Sequence, residues 1–383
     1  MNVGILFPSS TTHANIGFDF MNGLKTFLKE NNLETQIAIT SESIGIGGTE
    51  KEVYAKAEKL LMIDGVDILL AYIDERVLPL LKPLVYAAGK LMIVVNPGAN
   101  YPVNWVPQSN IVHLTLQHAF CCWLTGSLAA KEENKNAATV TTFYDCGYLH
   151  AASMMKSFAK NGGKVMFNYV NKDKYDDTFN IDPLVTFLES DKNTNNILCI
   201  FDSMPASLFF GLLNKKEANE KLELFVSPMM LEQKALENIG DGFSFSVNGY
   251  LPWKASAENE HNENFIDVYR KKNKKDPSFF SLLGWESAML LQQVIQTAGD
   301  DYTDGTVLAD GLKEMSFNSP RGPLKLDAET HHFLAPVGKC SIKERTSDME
   351  IEWEGDYSKE WRSFVDEPSG GVISGWTNTY LCY

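Results

Sequence analysis

Short apolar runs alternate with amphipathic stretches along most of the chain. Val3-Gly-Ile-Leu-Phe7 is a run of strand length, and Gly17 to Asn31 follows it with Phe20, Leu24, Phe27 and Leu28 on one helical stripe. A second strand is predicted over Gln36–Thr40. Thr49 then stands where a helix N-cap belongs, ahead of Val53, Ala57, Leu60 and Leu61 at helical spacing. Strand Asp67–Ala71, helix Glu75–Ala88 and strand Leu91–Val95 complete a first series. A second series begins near residue 117. Its predicted strands are Ala138–Phe143, Lys164–Val170, Asn196–Phe201 and Leu222–Ser227, and its helices Tyr148–Asn161, Asp182–Ser190, Pro205–Leu213 and Leu231–Ile239. Past Phe243–Val247 the pattern turns helical (Ala257–Lys272, Phe279–Ala298, Thr306–Met315) and ends in short strands at Pro323–Asp327 and Val337–Lys343. Regular alternation of β and α implies parallel sheets covered by helices on both faces. Two such series predict an α/β protein of two doubly wound αβα lobes with parallel central sheets.

The chain's 383 residues suit two such lobes and exceed what one compact domain usually holds. Lys and Arg number 34 against 49 Asp and Glu, a net charge of −15, which speaks against nucleic acid or an anionic membrane surface as a partner. No apolar run approaches the roughly 18–20 residues that span a bilayer. The six cysteines (121, 122, 146, 199, 340 and 382) form no C-x-x-C pair. They read as small buried hydrophobes, with a Cys340–Cys382 disulfide as the alternative.

Ligands of open α/β sheets bind beyond the carboxyl ends of the strands. The residues there are Pro8-Ser9-Ser10, Tyr72-Ile-Asp74-Glu75, Asn96-Pro-Gly98-Ala99-Asn100, Tyr144-Asp145, Asp202-Ser203 and Pro228-Met229-Met230. Hydroxyls, aromatics and acids dominate this set, which suits a small polar molecule better than a metal. Gly45-Ile-Gly-Gly48 lacks the Lys-Ser/Thr of a phosphate loop and reads as a turn. The histidines show no H-E-x-x-H or H-x-H spacing; His331-His332 is expected in a solvent-facing hairpin turn, and His13 either touches ligand or belongs to the loop surface. There is no G-x-S-x-G elbow, and Cys146 has no base assignable from sequence. Lys271-Lys-Asn-Lys-Lys275 reads as a solvated helix end. The expectation is binding without catalysis: no catalytic residue, no metal and no cofactor.

These motifs together resemble the type I periplasmic binding proteins of the leucine/isoleucine/valine-binding kind, the receptors of ABC importers. Val3-Gly-Ile-Leu-Phe-Pro-Ser9 with Gly17, Gly65-Val-Asp-Ile-Leu-Leu-Ala71, Leu91-Met-Ile-Val-Val-Asn-Pro-Gly-Ala99 and Phe317-Asn-Ser-Pro-Arg-Gly-Pro-Leu-Lys-Leu-Asp327 carry the likeness, which spans about residues 3 to 345. The tail from Ser347 to Tyr383 lies beyond it. The resemblance implies three crossovers between lobes 1–117 with 249–334 and 118–248 with 335–383, and a cleft between them that closes on ligand. It implies an amino acid or a related amide or amine as ligand. Ser9 and Ser10 would belong to the first ligand loop, and Tyr72, Asp74, Gly98, Ala99 and Asn100 to the carboxylate grip. From the second lobe Tyr144 or Tyr148 would supply an aromatic. Met229 takes the place of the family's ammonium-binding acid, for which Asp145, Asp202 (beside Ser203) or Glu286 would compensate. Trp285 faces either ligand or core, and Trp105 and Trp253 either line the cleft mouth or pack. The partners implied are a small-molecule ligand and the membrane subunits of an ABC transporter, and the place is the periplasm, a signal peptide having been removed. A cytoplasmic or membrane-associated sensor on the same fold, favoured if Met1 is the native start, is the alternative; an enzyme using the cleft is a third reading.

Overall fold

The computed structural model describes all residues except 11–12, 46–49, 100–105, 143–147, 172–177, 217–221, 238, 240–242, 300, 344–347 and 368–383. The chain forms two compact units and passes between them at 116/117, 252/253 and 336/337. It starts in the first unit with β1 (Asn2–Phe7), α1 (Ile16–Glu30), β2 (Ala38–Ser43), α2 (Glu50–Glu58), β3 (Ile68–Tyr72), α3 (Leu78–Ala88), β4 (Leu91–Asn96) and β5 (Ile111–Thr115). The second unit follows with α4 (His118–Ala129), β6 (Asn136–Thr142), α5 (Tyr148–Lys160), β7 (Lys164–Asn171), α6 (Asp182–Ser190), β8 (Asn196–Ile200), α7 (Ser203–Lys215), β9 (Leu222–Val226), α8 (Gln233–Leu236) and β10 (Phe245–Leu251). Back in the first unit come α9 (Glu260–Asn273), α10 (Phe279–Ala298), α11 (Gly305–Lys313), β11 (Ser316–Ser319), β12 (Gly322–Leu326) and β13 (His332–Leu334). The second unit then takes β14 (Val337–Ile342), β15 (Met349–Glu354) and α12 (Ser358–Val365).

The first unit's sheet runs β11-β12-β13-β5-β4-β3-β1-β2. Its central strands β1, β3, β4 and β5 are parallel, and β3, β4 and β5 are buried along their whole length, so β3 and β4 read as apolar runs rather than alternations. The hairpin β11–β12 makes one edge antiparallel, so the sheet is mixed rather than wholly parallel. α1 lies against α10 with no room for side chains at the crossing. A Cβ on Gly23 would stand 1.9 Å from the Ser281 carbonyl oxygen, and one on Gly284 would stand 1.9 Å from that of Phe20.

The second unit's sheet runs β15-β14-β10-β9-β8-β6-β7 and encloses an apolar core of Phe201, Phe209, Phe210, Phe243 and Phe245 with the aliphatic residues of β8, β9 and β10. Parts of this unit differ from the sequence expectation. Residues 231–239 are not one helix: a 3₁₀ turn at Pro228–Leu231 precedes the single turn of α8. The tail, unassigned from sequence, adds β15 antiparallel to β14 and then α12, whose Trp361 and Phe364 pack edge-on and tilted against Phe120 and Trp123 of α4. Among the described residues no helix is long and apolar enough to cross a membrane.

Candidate functional site

In each unit one polar residue at a strand end ties neighbouring loops together. In the first it is Asn96, the last residue of β4, which is 3% exposed. Its Nδ2 donates to the Ile73 carbonyl at 3.1 Å and to Glu75 Oε1 at 3.2 Å, while its Oδ1 accepts from the Gly98 N–H at 2.8 Å. The loops after β3 and β4 are thus one hydrogen-bonded structure, and Gly98 adopts φ 75°, which glycine allows without a Cβ clash. In the second unit Ser227, directly after β9, donates its hydroxyl to the Phe201 carbonyl and its N–H to that of Cys199. The sequence places Asn96 in the strand-end set without a role of its own and Ser227 only at the end of a predicted strand; a polar residue closing a largely apolar strand is the available signal.

The predicted site residues divide by environment. Ser9 is exposed, with its N–H on the Gly45 carbonyl, and Ser10 is buried with its hydroxyl accepting from the His13 N–H. Asp74 is buried beside Glu75 in the loop after β3, and Ala99 is buried in the loop after β4. Asp202 is half-buried between β8 and α7. Ser203 opens α7 and Tyr148 opens α5. Asn100, Tyr144 and Asp145, together with Trp105, Cys146 and Cys382, lie outside the described residues.

Several of the remaining candidates are engaged within the fold. Glu286 is not placed to receive a ligand ammonium: it is fully buried, and its Oε1 and Oε2 accept from Arg321 Nε at 2.9 Å and Nη2 at 2.7 Å. Arg321 Nη1 also donates to the Thr115 carbonyl, so the pair is locked to the end of β5. Trp285 packs in the interior, edge-on to Phe27 at 5.0 Å and tilted on Phe265 at 5.1 Å. The Gly98 amide, expected to donate to ligand, already donates to Asn96. Tyr72 stacks on Phe20 inside the first unit, where burial pushes its phenol well above the usual range, and Met229 is fully buried in the 3₁₀ turn after β9. Trp253 likewise packs, donating to Asn262 Oδ1 beside Phe265 and Phe279.

His331 and His332 are also not solvent-facing. His331 (φ 55°) turns Nδ1 onto the Gln108 and Ile111 carbonyls, and His332 is fully buried in β13. The His332 ring stacks on His113 of β5, with 4.4 Å between centroids, and His113 Nδ1 is 2.9 Å from Glu75 Oε1. This Glu75–His113–His332 cluster is the described group that could hold a metal. Cys122 and Cys199 are buried thiols whose ionisation burial pushes up, as expected of cysteines used as hydrophobes.

Two doubly wound units joined by three passages of the chain, with polar loops gathered at the carboxyl ends of their strands, define the architecture of a bilobal solute receptor. Residues 1–343 match the family model described as periplasmic binding protein, and the chain belongs to that family. It is similar to Leu/Ile/Val-binding protein homolog 6 of Brucella suis, at 20% identity over 348 residues, which cover 88% of this chain and 86% of that protein. Its fold is similar to an ABC transporter substrate-binding protein from Sphaerobacter thermophilus, with a TM-score of 0.76, 13% identity and coverage of 93% and 98% of the two chains. A solute-binding protein of an ABC transporter from R. palustris, solved in complex with benzoate, superimposes with a TM-score of 0.72 at 21% identity, covering 93% of this chain and 98% of that one.

Proposed function

We propose that this protein is the extracytoplasmic receptor of an ABC importer, capturing a small polar solute at the strand-end loops and handing it on unchanged. Family membership over residues 1–343 is the observation that carries the reading. The site chemistry supports binding rather than turnover: Asn96 and Ser227 hold the strand-end loops in fixed conformations, and preorganised loops lower the entropy cost of capture.

The ligand class we favour carries N–H or O–H donors, as an amino acid or amide does. Glu286 is committed to Arg321, and Asp202, half-buried between β8 and α7, is the carboxylate we choose to test for contact with such a donor. Truncating one partner of a charged hydrogen bond at an interface costs about 2–5 kcal/mol. Calorimetry with branched-chain and polar amino acids, small amides and benzoates tests the class. Tight binding of an amine or amide, weakened in Asp202→Asn, is the expected result. The benzoate-bound relative motivates the second arm: a simple aromatic carboxylate bound equally by parent and Asp202→Asn would refute the donor-bearing ligand while keeping the receptor. Chemical conversion of any tight binder would refute the receptor.

A further inference from the structure

We propose that Glu75, His113 and His332 form a binding site for a first-row divalent transition-metal ion inside the first unit. The three side chains come from separate elements: the turn after β3, the middle of β5 and the start of β13. One donor atom from each lies within 4.8 Å of the other two, and the residues are 2%, 3% and 0% exposed. The pairing of β13 with β5 sets His332 directly opposite His113, so the approach of the rings is fixed by backbone register.

A second observation points to a ligand. Glu75 Oε2 is buried and has no hydrogen-bond partner among the described residues. A carboxylate oxygen held away from water without a donor is unfavourable, and a cation is one group that offsets it. The surroundings are those of metal ligands. Asn96 Nδ2 orients Glu75 through Oε1. His332 Nδ1 lies 3.1 Å from the Thr330 carbonyl, which can only accept. Nδ1 therefore carries the proton and Nε2 carries the lone pair, the arrangement in which a ligating histidine anchors its other nitrogen on a backbone carbonyl.

Two imidazoles and one carboxylate suit Zn²⁺, Co²⁺ or their neighbours better than the all-oxygen preference of Ca²⁺ or Mg²⁺. Binding requires the parallel rings, now at 9° to one another, to tilt toward a common point, and the 2.9 Å contact of His113 with Glu75 to open slightly. The ion would staple β13 to β5 and to the turn after β3, which Asn96 links to the Gly98 loop. The sequence hid this site because the ligands are far apart in the chain and the two histidines of one dipeptide point to different partners.

The test uses the full chain, stripped with a chelator and then titrated with Co²⁺ and Zn²⁺, both in the native state and after refolding with the ion present. One equivalent of Co²⁺ should give visible bands of a low-coordinate nitrogen–oxygen site, displaced stoichiometrically by Zn²⁺, and Zn²⁺ should raise the thermal midpoint. Glu75→Gln and His332→Asn should each weaken binding by roughly a hundredfold or more, since even outer-shell changes cost 10–100-fold. Loss of the exposed His261 in His261→Ala should change nothing. Absence of the stoichiometric Co²⁺ spectrum in the parent under both conditions overturns the proposal, and this readout does not depend on how the variants fold. Undiminished binding in folded Glu75→Gln and His332→Asn overturns it as well.

Discussion

Replacing Arg321 by methionine should be among the most damaging single changes in the first unit. Arg321 and Glu286 are both fully buried, and the guanidinium makes two charge-assisted hydrogen bonds to the carboxylate and a third to the Thr115 carbonyl. Methionine fills much of the same volume, so lost packing is a minor part of the effect. What remains is an ionised carboxylate with its counter-charge removed and a buried carbonyl without its donor. Breaking a buried pair from one side costs about 3–5 kcal/mol. For a unit of 150–250 residues each kcal/mol moves the melting temperature by about 2–4 °C, so the expected drop is roughly 6–20 °C. The double variant Glu286→Leu/Arg321→Met removes both charges and should recover most of the loss, because a buried pair and its hydrophobic isosteres are often close in stability. Urea unfolding followed by tryptophan fluorescence is suited to this, since Trp285 packs on Phe27 and Phe265 in the same unit. The double variant should also keep ligand affinity, because Glu286 faces Arg321. A single variant within about 1 kcal/mol of the parent, or a double variant as unstable as the single, would refute the reasoning.

Three further changes probe other parts of the molecule. Gly284→Ala drives a methyl group into the Phe20 carbonyl of α1 and should cost at least about 1–3 kcal/mol by denaturation, whereas Gly89→Ala, with room for a methyl but a left-handed backbone at φ 65° and ψ 18°, should cost only the backbone strain, roughly 1 kcal/mol. Trp361→Ala should destabilise the second unit by about 3–5 kcal/mol if the tail belongs to that unit's core; a value under 1 kcal/mol by the same assay would reduce α12 to an appendage. Glu42 is held below the usual carboxylate range by hydrogen bonds from Lys56 and Lys59, so its contribution is present above the unfolded value near 4.5 and disappears as pH falls through the folded one. Glu42→Gln should therefore lower stability at pH 7 by no more than about 1 kcal/mol, less in high salt, and converge with the parent near pH 3.

What was legible in the sequence was what depends on neighbours in the chain. β1, β3, β4 and β8 are short buried runs, and α1 and α10 carry apolar stripes, so their local patterns were sufficient. β5 escaped because His113 and Thr115 interrupt its apolar run. The His113 ring is accommodated in the interior by Glu75, and the end of the strand by Arg321 through the Thr115 main-chain carbonyl, both distant in sequence. α4 escaped for the opposite reason: it is buried on nearly all sides and shows no polar face to set a period. The tail was readable in principle, since Met349, Ile351 and Trp353 alternate along β15 and Trp361 and Phe364 stand three apart on α12, but no likeness to a family extended so far. The candidate site is readable from sequence only as a set of loops, because strand ends are where ligands of doubly wound sheets bind. Which side chain in a loop faces inward is not, because that is decided by partners such as Arg321 and Asn96 that no local pattern predicts.

The strand-end loops carry more polar groups than a ligand needs, and the structure sorts them by their partners. A buried polar group must be hydrogen-bonded wherever it is, so residue type alone cannot separate a group kept for ligand from one that holds the fold. Asn96, Ser227, Arg321 and Glu286 each bond groups from another strand or loop, and removing any of them would leave those buried groups without their partner. They are parts of the scaffold. Ser9 and Asp202 differ in being at least partly exposed, so a ligand could reach them without the interior being opened first. The scaffold residues matter to recognition all the same. Gly98 keeps its left-handed turn because Asn96 accepts its N–H, and the turn sets where the following Ala99 backbone points. Specificity in this protein would then be divided between a few accessible groups that meet the ligand and a larger buried set that fixes their positions.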